Sequence, residues 1–130
     1  MKNYVLVCLF FMLASCNSQD KKEVNFTNVS VEQFEKLLSN KDAQIIDVRT
    51  FRAYQYGHIK NAKHVDYLSS GFRSKAFKDL DKTKPVLVYC TSGLFSARSA
   101  KIYKEAGFEK VYNLVGGFNA WTANNLKIEK

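Results

Sequence analysis

Val86-Leu87-Val88-Tyr89-Cys90-Thr91-Ser92-Gly93-Leu94-Phe95-Ser96-Ala97-Arg98-Ser99 reads as three pieces in succession. Val86 to Tyr89 is a short apolar run rich in β-branched residues, the pattern of a strand buried on both faces. Cys90 to Leu94 is a tight polar turn with a glycine inside it. From Phe95 the apolar positions Ala97, Ala100, Ile102 and Tyr103 follow helical spacing, and Gly107 is a good C-terminal stop. The cysteine therefore stands where a strand ends and a helix begins, the place where open α/β sheets hold their ligands. The free N–H groups of a helix start and its dipole both stabilise an anion there. Gly93 lets the backbone curl its N–H groups inward as a cradle. That environment favours the thiolate, the nucleophilic form of cysteine. The competing reading of Cys90 is a small buried hydrophobe.

Outward from this stretch, strands alternate with helices. Val24-Asn25-Phe26 alternates as a first strand, and Ser30 with Gln33 forms a capping box ahead of a helix whose apolar face is Val31, Phe34, Leu37 and Leu38. Gln44 to Val48 is a second strand. Thr50 caps a short helix from Phe51 to Tyr56 that Gly57 stops. His64-Val65 is a brief strand, and Gly71 to Leu80 a weak helical pattern ended by the stretch from Lys82 to Pro85. Val111 to Leu114 is a last strand, and Gly116-Gly117 opens a helix containing Phe118, Ala120 and Trp121. Alternation with short connections predicts an α/β fold, a parallel sheet with helices on both faces.

Composition narrows the function. The 130 residues suit one domain, and 46% hydrophobic with 25% charged residues is ordinary for a globular chain. The net charge is +8, but the lysines are scattered without a basic tract, so no nucleic-acid partner is expected. The cysteines are Cys8, Cys16 and Cys90, and the histidines are His58 and His64. Cys90 is alone in the globular part, so neither an internal disulfide nor a zinc site built on paired cysteines is available, and no metal or cofactor is expected.

The N-terminus reads as a targeting signal. Lys2 gives a positive start, and Tyr4 to Leu13 is an unbroken apolar run too short to span a bilayer. Leu13-Ala14-Ser15-Cys16 resembles the lipobox of bacterial lipoproteins, in which the chain is cut before the cysteine and that cysteine is acylated. The expected organisation is a lipoprotein signal peptide over 1–15, a polar tether over 16–23 beginning at lipidated Cys16, and a globular domain over 24–130. This places the protein in the bacterial cell envelope, lipid-anchored on the periplasmic face.

Several separate stretches resemble one family, the rhodanese-like sulfurtransferases. Ile45-Ile46-Asp47-Val48-Arg49 is similar to its IDVR segment, and Tyr56-Gly57-His58-Ile59 with Asn61-Ala62 to its GHI segment. Val88-Tyr89-Cys90 with Gly93 and Ser96-Ala97 is similar to its active-site loop. Lys104 to Phe108 and Val111 to Trp121 are similar to its C-terminal signature. The resemblance implies a five-stranded parallel sheet in a single-domain version. It implies that Cys90 takes a sulfane sulfur from a donor, becomes a persulfide and hands the sulfur to a thiophilic acceptor, a small thiol or a partner protein. The loop of Thr91, Ser92, Gly93, Leu94, Phe95 and Ser96 would hold the persulfide through N–H donors, with hydroxyl help from Ser92 and Ser96. Asp47 and Arg49 carry over as a structural ion pair near the site, and Trp121 as packing. A monomer is expected.

The departures bear on the donor. No cation stands between Cys90 and Ser96, where many members carry basic residues. Arg98 is the nearest, a full turn into the helix, and is a candidate for electrostatic support only. Leu94 and Phe95 make the rim apolar. Weaker attraction for the thiosulfate dianion follows, which favours an organic persulfide, a polysulfide or a protein donor. A second reading is a persulfide carrier or protein-binding module with little turnover. A phosphatase is disfavoured, because the arginine its loop needs six residues after the cysteine is Ser96 here.

Overall fold

The computed structural model describes residues 23–130. The signal expected over 1–15, Cys16, and the tether up to residue 22 lie outside it. Five strands and five helices alternate: β1 Thr27–Val29, α1 Val31–Leu38, β2 Gln44–Asp47, α2 Phe51–Tyr56, β3 Lys63–His64, α3 Phe72–Phe77, β4 Val86–Tyr89, α4 Leu94–Glu105, β5 Val111–Leu114 and α5 Gly117–Ala123. The strands form one sheet in the order β1-β5-β4-β2-β3, and every pairing is parallel. The predicted α/β architecture is present.

β4 is central, and its residues show why. Val86, Leu87, Val88 and Tyr89 are fully buried. They alternate between two cores, as the twofold period of a strand requires. Val86, Val88 and Cys90 join Phe72 and Ala76 of α3 and Ala100 and Tyr103 of α4 on one face. Leu87 and Tyr89 join Val31 and Phe34 of α1 and Trp121 of α5 on the other. Burying each such side chain contributes about 1.5–3 kcal/mol. The capping box is formed as expected: the Gln33 amide donates to the Ser30 hydroxyl, and the Ser30 amide donates to Gln33 Oε1.

Two strands are displaced from their expected positions. The first is at Thr27–Val29, not Val24–Phe26, because its place is set by pairing with β5, Thr27 against Tyr112 and Val29 against Leu114. Phe26 packs on the edge of the core instead. The third is Lys63–His64, one residue earlier than the expected His64-Val65. It is fixed by pairing Ile46 with Lys63 and Asp47 with His64. The α3 helix is also shorter than the Gly71–Leu80 pattern, ending at Phe77 ahead of Asp79, which has φ +60°.

Parallel strands bring all their C-terminal ends to one edge. The loops after β2, β3, β4 and β5 therefore meet there, and Cys90 stands among them.

Candidate active site

Cys90 follows the last residue of β4 and is 3% exposed. The chain turns over three residues and enters α4 through Gly93, which has φ +95°. A side chain at Gly93 would press on the Leu114 carbonyl at 3.1 Å and the Gly116 amide at 3.2 Å. Positive φ and close approach together require glycine here. The turn brings the Gly93 N–H to 3.1 Å from Cys90 Sγ, and the first turn of α4 brings the Ser96 hydroxyl to 3.3 Å. Ser96 is itself fully buried, so this donor is held away from water.

The loop's carbonyls are turned away from the sulfur and tied down. The Phe118 amide donates to the Cys90 carbonyl at 2.7 Å, and the Asn119 amide donates to the Thr91 carbonyl at 3.1 Å. The Gly93 carbonyl accepts from the Ala97 amide at 3.1 Å and from Asn113 Nδ2 at 3.4 Å. The start of α5 thus fixes the cysteine loop by backbone bonds. Among the described residues, the amides of Thr91, Ser92, Leu94, Phe95 and Ser96 donate to no backbone carbonyl. They are the free donors of a helix start and its preceding turn.

Of the expected cradle, Gly93 and Ser96 reach the sulfur. Thr91, Ser92 and Phe95 line the cavity above it without bonding to Sγ, and Leu94 faces solvent at 57% exposure. Arg98 is exposed, and its guanidinium rests 5.6 Å from the Phe95 ring centre, outside the cavity lining.

The opposite wall comes from the ends of β2 and β3. Asp47 and Arg49 are both buried. Arg49 Nε donates to both Asp47 oxygens at 3.0 Å, and its Nη2 donates to Asp47 Oδ2 and the Gly57 carbonyl at 2.6 Å each. Its guanidinium lies 3.9 Å from the Phe118 ring centre, a cation–π contact. Arg49 is therefore a cation on the cavity wall whose charge is met by Asp47. Next to it, burial pushes the Tyr89 phenol well above its ordinary value, and the Asp47 charge adds to the effect. The Tyr54 phenol is raised for the same two reasons.

Together these walls enclose a cavity of about 170 Å³. Val48, Thr50, Ala53, Asp66 and Leu68 complete the lining. Sequence reasoning missed these five and the tie from α5. They are contributed by segments far from Cys90 in the chain. The usable signal was positional, since Asp66 and Leu68 directly follow β3 and so lie at the same sheet edge as Cys90. A larger concavity of about 350 Å³ between Glu23–Asn25 and Lys104–Glu109 contains no thiol. Among the described residues no group of three or more His, Cys, Asp or Glu side chains converges as metal ligands.

Comparison with known proteins agrees with this geometry. Residues 30–124 match the family described as the rhodanese-like domain. The thiosulfate sulfurtransferase GlpE of Actinobacillus pleuropneumoniae serotype 5b (strain L20) is 36% identical over 104 residues, 80% of this chain and 94% of that protein. A rhodanese-like domain from Anabaena sp. superposes with a TM-score of 0.71 at 25% identity, covering 81% of this chain and 80% of that one. The polysulfide-sulfur transferase homodimer of Wolinella succinogenes superposes with a TM-score of 0.69 at 31% identity, covering 80% and 78%.

Proposed function

The chain belongs to the rhodanese-like domain family and is a sulfurtransferase, and from that premise we propose that Cys90 is the residue that carries the sulfur. The observation that supports this is the environment of its Sγ. The sulfur lies at the C-terminal end of the central strand, on the wall of a cavity, and receives an N–H from Gly93 and an O–H from Ser96. Both donors stabilise negative charge on sulfur before any substrate arrives. The Cys90 thiolate attacks the outer sulfur of the donor. The donor's sulfur–sulfur bond breaks, its electron pair leaves with sulfite or a thiolate, and Cys90 becomes a persulfide anion. An acceptor, cyanide or a thiolate, then attacks the outer sulfur, and Sγ departs as the thiolate that began the cycle. The charge on sulfur is the same at the start and end of each step, so one set of donors serves both. Cys90 is the one free cysteine among the described residues. No neighbouring thiol is there to discharge the persulfide as a disulfide.

Mass spectrometry of the intact mature protein tests this. After treatment with thiosulfate or glutathione persulfide, a gain of one sulfur atom is expected in the native protein and not in Cys90→Ser. Cyanide is expected to release it as thiocyanate over many turnovers. Sulfur retained by Cys90→Ser would assign the chemistry to another residue. Sulfur gained but never released would make the protein a carrier.

The same proposal extends to location and assembly. Lys2, the apolar run Tyr4 to Leu13, and Leu13-Ala14-Ser15-Cys16 support cleavage before Cys16 and acylation of its sulfur. Anchoring then rests on acyl chains, each buried methylene contributing about 0.8 kcal/mol. The domain works on the periplasmic face of a bacterial envelope membrane. Labelled palmitate is expected to enter the native chain and not Cys16→Ser, which leaves the membrane fraction. In this reading the protein acts as a monomer, and light scattering checks the mass.

A further inference from the structure

Asp66 is an acidic residue of the cavity lining that forms no ion pair among the described residues. It lines the same cavity as Cys90. The ion pairs among the described residues are Arg49–Asp47, His58–Glu129, Arg73–Glu105 and Lys84–Asp42, and Asp66 is in none. The cation on this wall, Arg49, is committed to Asp47 and to the Gly57 carbonyl. On its far side Asp66 borders a second concavity that Lys63, Lys75 and Lys78 also line. Of these, Lys63 donates its ammonium to the Lys78 carbonyl and Lys75 donates its own to the Ser70 carbonyl. Arg98 lies outside the Cys90 cavity and is exposed, where salt screens it. Asp66 is thus the one acidic residue in the cavity lining, and the lining's one cation, Arg49, is already paired. Beside the polar Thr50, Thr91 and Ser92, the lining has two exposed apolar residues, Leu68 at 67% exposure and Phe95 at 36%, the latter stacked on Tyr67 at 5.2 Å.

We infer that this site takes a singly charged organic sulfur donor, with its apolar substituent on Leu68 and Phe95, and that Asp66 is the specificity-determining residue that disfavours the thiosulfate dianion. This rests on the Cys90 reading above and names its substrate class. An alkyl thiosulfonate illustrates the chemistry. Cys90 thiolate attacks its outer sulfur, a new sulfur–sulfur bond forms at Sγ, and the sulfur–sulfur bond of the donor breaks with its pair leaving on the sulfinate. Thiosulfate reacts in the same way and releases sulfite. The two donors differ by one unit of charge and by a methyl in place of an oxygen. A fixed negative charge beside the path therefore separates them.

Asp66 also has a structural duty, since its Oδ1 accepts the Leu68 N–H at 2.9 Å. Asp66→Asn keeps an oxygen at that position and removes only the charge. The experiment measures kcat/KM with cyanide as acceptor, for thiosulfate and for methanethiosulfonate, in the native protein and in Asp66→Asn, at low and high salt. The ratio favouring methanethiosulfonate is expected to shrink about fivefold in Asp66→Asn. High salt is expected to shrink it in the native protein and much less in the variant. Intrinsic donor reactivity cancels in that change of ratio, and a merely structural role would move both donors together. A ratio that does not change, or equal losses with both donors, would overturn the inference. A second variant tests the apolar contact: Leu68→Ala is expected to lose about threefold more in kcat/KM for benzenethiosulfonate than for methanethiosulfonate. Equal effects on the two would remove Leu68 from the argument and overturn that part. If no donor loads Cys90 in any form, the Cys90 reading fails and this inference with it; loading without charge discrimination sinks this inference alone.

Discussion

At the scale of single residues, the site depends on groups that hold the sulfur and groups that hold the wall. Ser96 belongs to the first. Its hydroxyl is buried and 3.3 Å from Sγ, so Ser96→Ala removes a donor without opening the pocket to bulk water. Sulfur loading is expected to slow about tenfold, with the melting temperature nearly unchanged, as followed by stopped-flow loading beside a thermal melt. A rate unchanged by the substitution would leave Gly93 and the remaining loop amides as the whole cradle. Arg49 belongs to the second. Arg49→Ala strips the partner from a fully buried Asp47 and is expected to cost about 3–5 kcal/mol in urea unfolding. A loss below about 1 kcal/mol would mean that water reaches the Asp47 carboxylate. Both residues were visible in the sequence through the family resemblance, Ser96 in the active-site loop and Arg49 at the end of the Ile45-Ile46-Asp47-Val48-Arg49 segment. Asp66 and Leu68 were not, since nothing within their own stretch distinguishes a carboxylate on a cavity wall from one on an exposed turn.

At the scale of elements, the unit that matters is the loop after β4 clasped by the start of α5. Gly117, the first residue of α5, has φ +58°, and a Cβ there would lie 2.4 Å from the Cys90 carbonyl oxygen and 2.7 Å from the Thr91 carbonyl. Those obstacles are backbone, which cannot step aside without moving the cysteine. Gly117→Ala is therefore expected to destabilise the fold by about 2–4 kcal/mol and to reduce sulfur loading further than the unfolded fraction explains. Loading per folded molecule measured in stabilising osmolyte separates the two effects, and full recovery there would show that the clasp only stabilises. The β4–turn–α4 unit could be read from sequence because its determinants are local: an apolar β-branched run, a glycine, then helical spacing. The clasp could not, because it consists of the Phe118 and Asn119 amides meeting carbonyls 28 residues earlier in each case. β1 was misplaced for a related reason. Val24-Asn25-Phe26 has the alternation of a strand, yet the ladder forms where β5 offers Tyr112, Asn113 and Leu114 as partners, three residues later. Local pattern gives a strand's existence more readily than its register.

At the scale of the whole molecule, the sheet separates two cores, and each contains a buried tyrosine. Tyr89 is in the core on the α1 and α5 side, and Tyr103 in the core on the α3 and α4 side. Both are fully buried. The Tyr89 hydroxyl accepts from the Ile59 amide at 3.0 Å, and the Tyr103 hydroxyl donates to the Ala76 carbonyl at 3.1 Å. Burial raises both phenols above their ordinary value of 10.0, with the Asp47 charge adding to the effect at Tyr89. The consequence for stability has a definite sign. Below pH 10 both states keep the phenols neutral, and the tyrosines contribute fully. Above pH 10 the unfolded chain releases their protons while the folded one retains them, so stability falls as pH rises, by about 1.4 kcal/mol per pH unit for each tyrosine. Urea unfolding between pH 8 and pH 11 is expected to show a plateau and then a fall of about 2.7 kcal/mol per unit from the pair, added to whatever Tyr54 and the lysines contribute. Tyr103→Phe isolates one core. It is expected to be weaker by about 1 kcal/mol on the plateau, where the bond to Ala76 is lost, and then to fall less steeply by one tyrosine's share, with the lysine contribution cancelling between the two proteins. Parallel curves above pH 10 would mean that the α3–α4 core opens enough to ionise Tyr103 without unfolding, and that the two faces of the sheet do not melt as one.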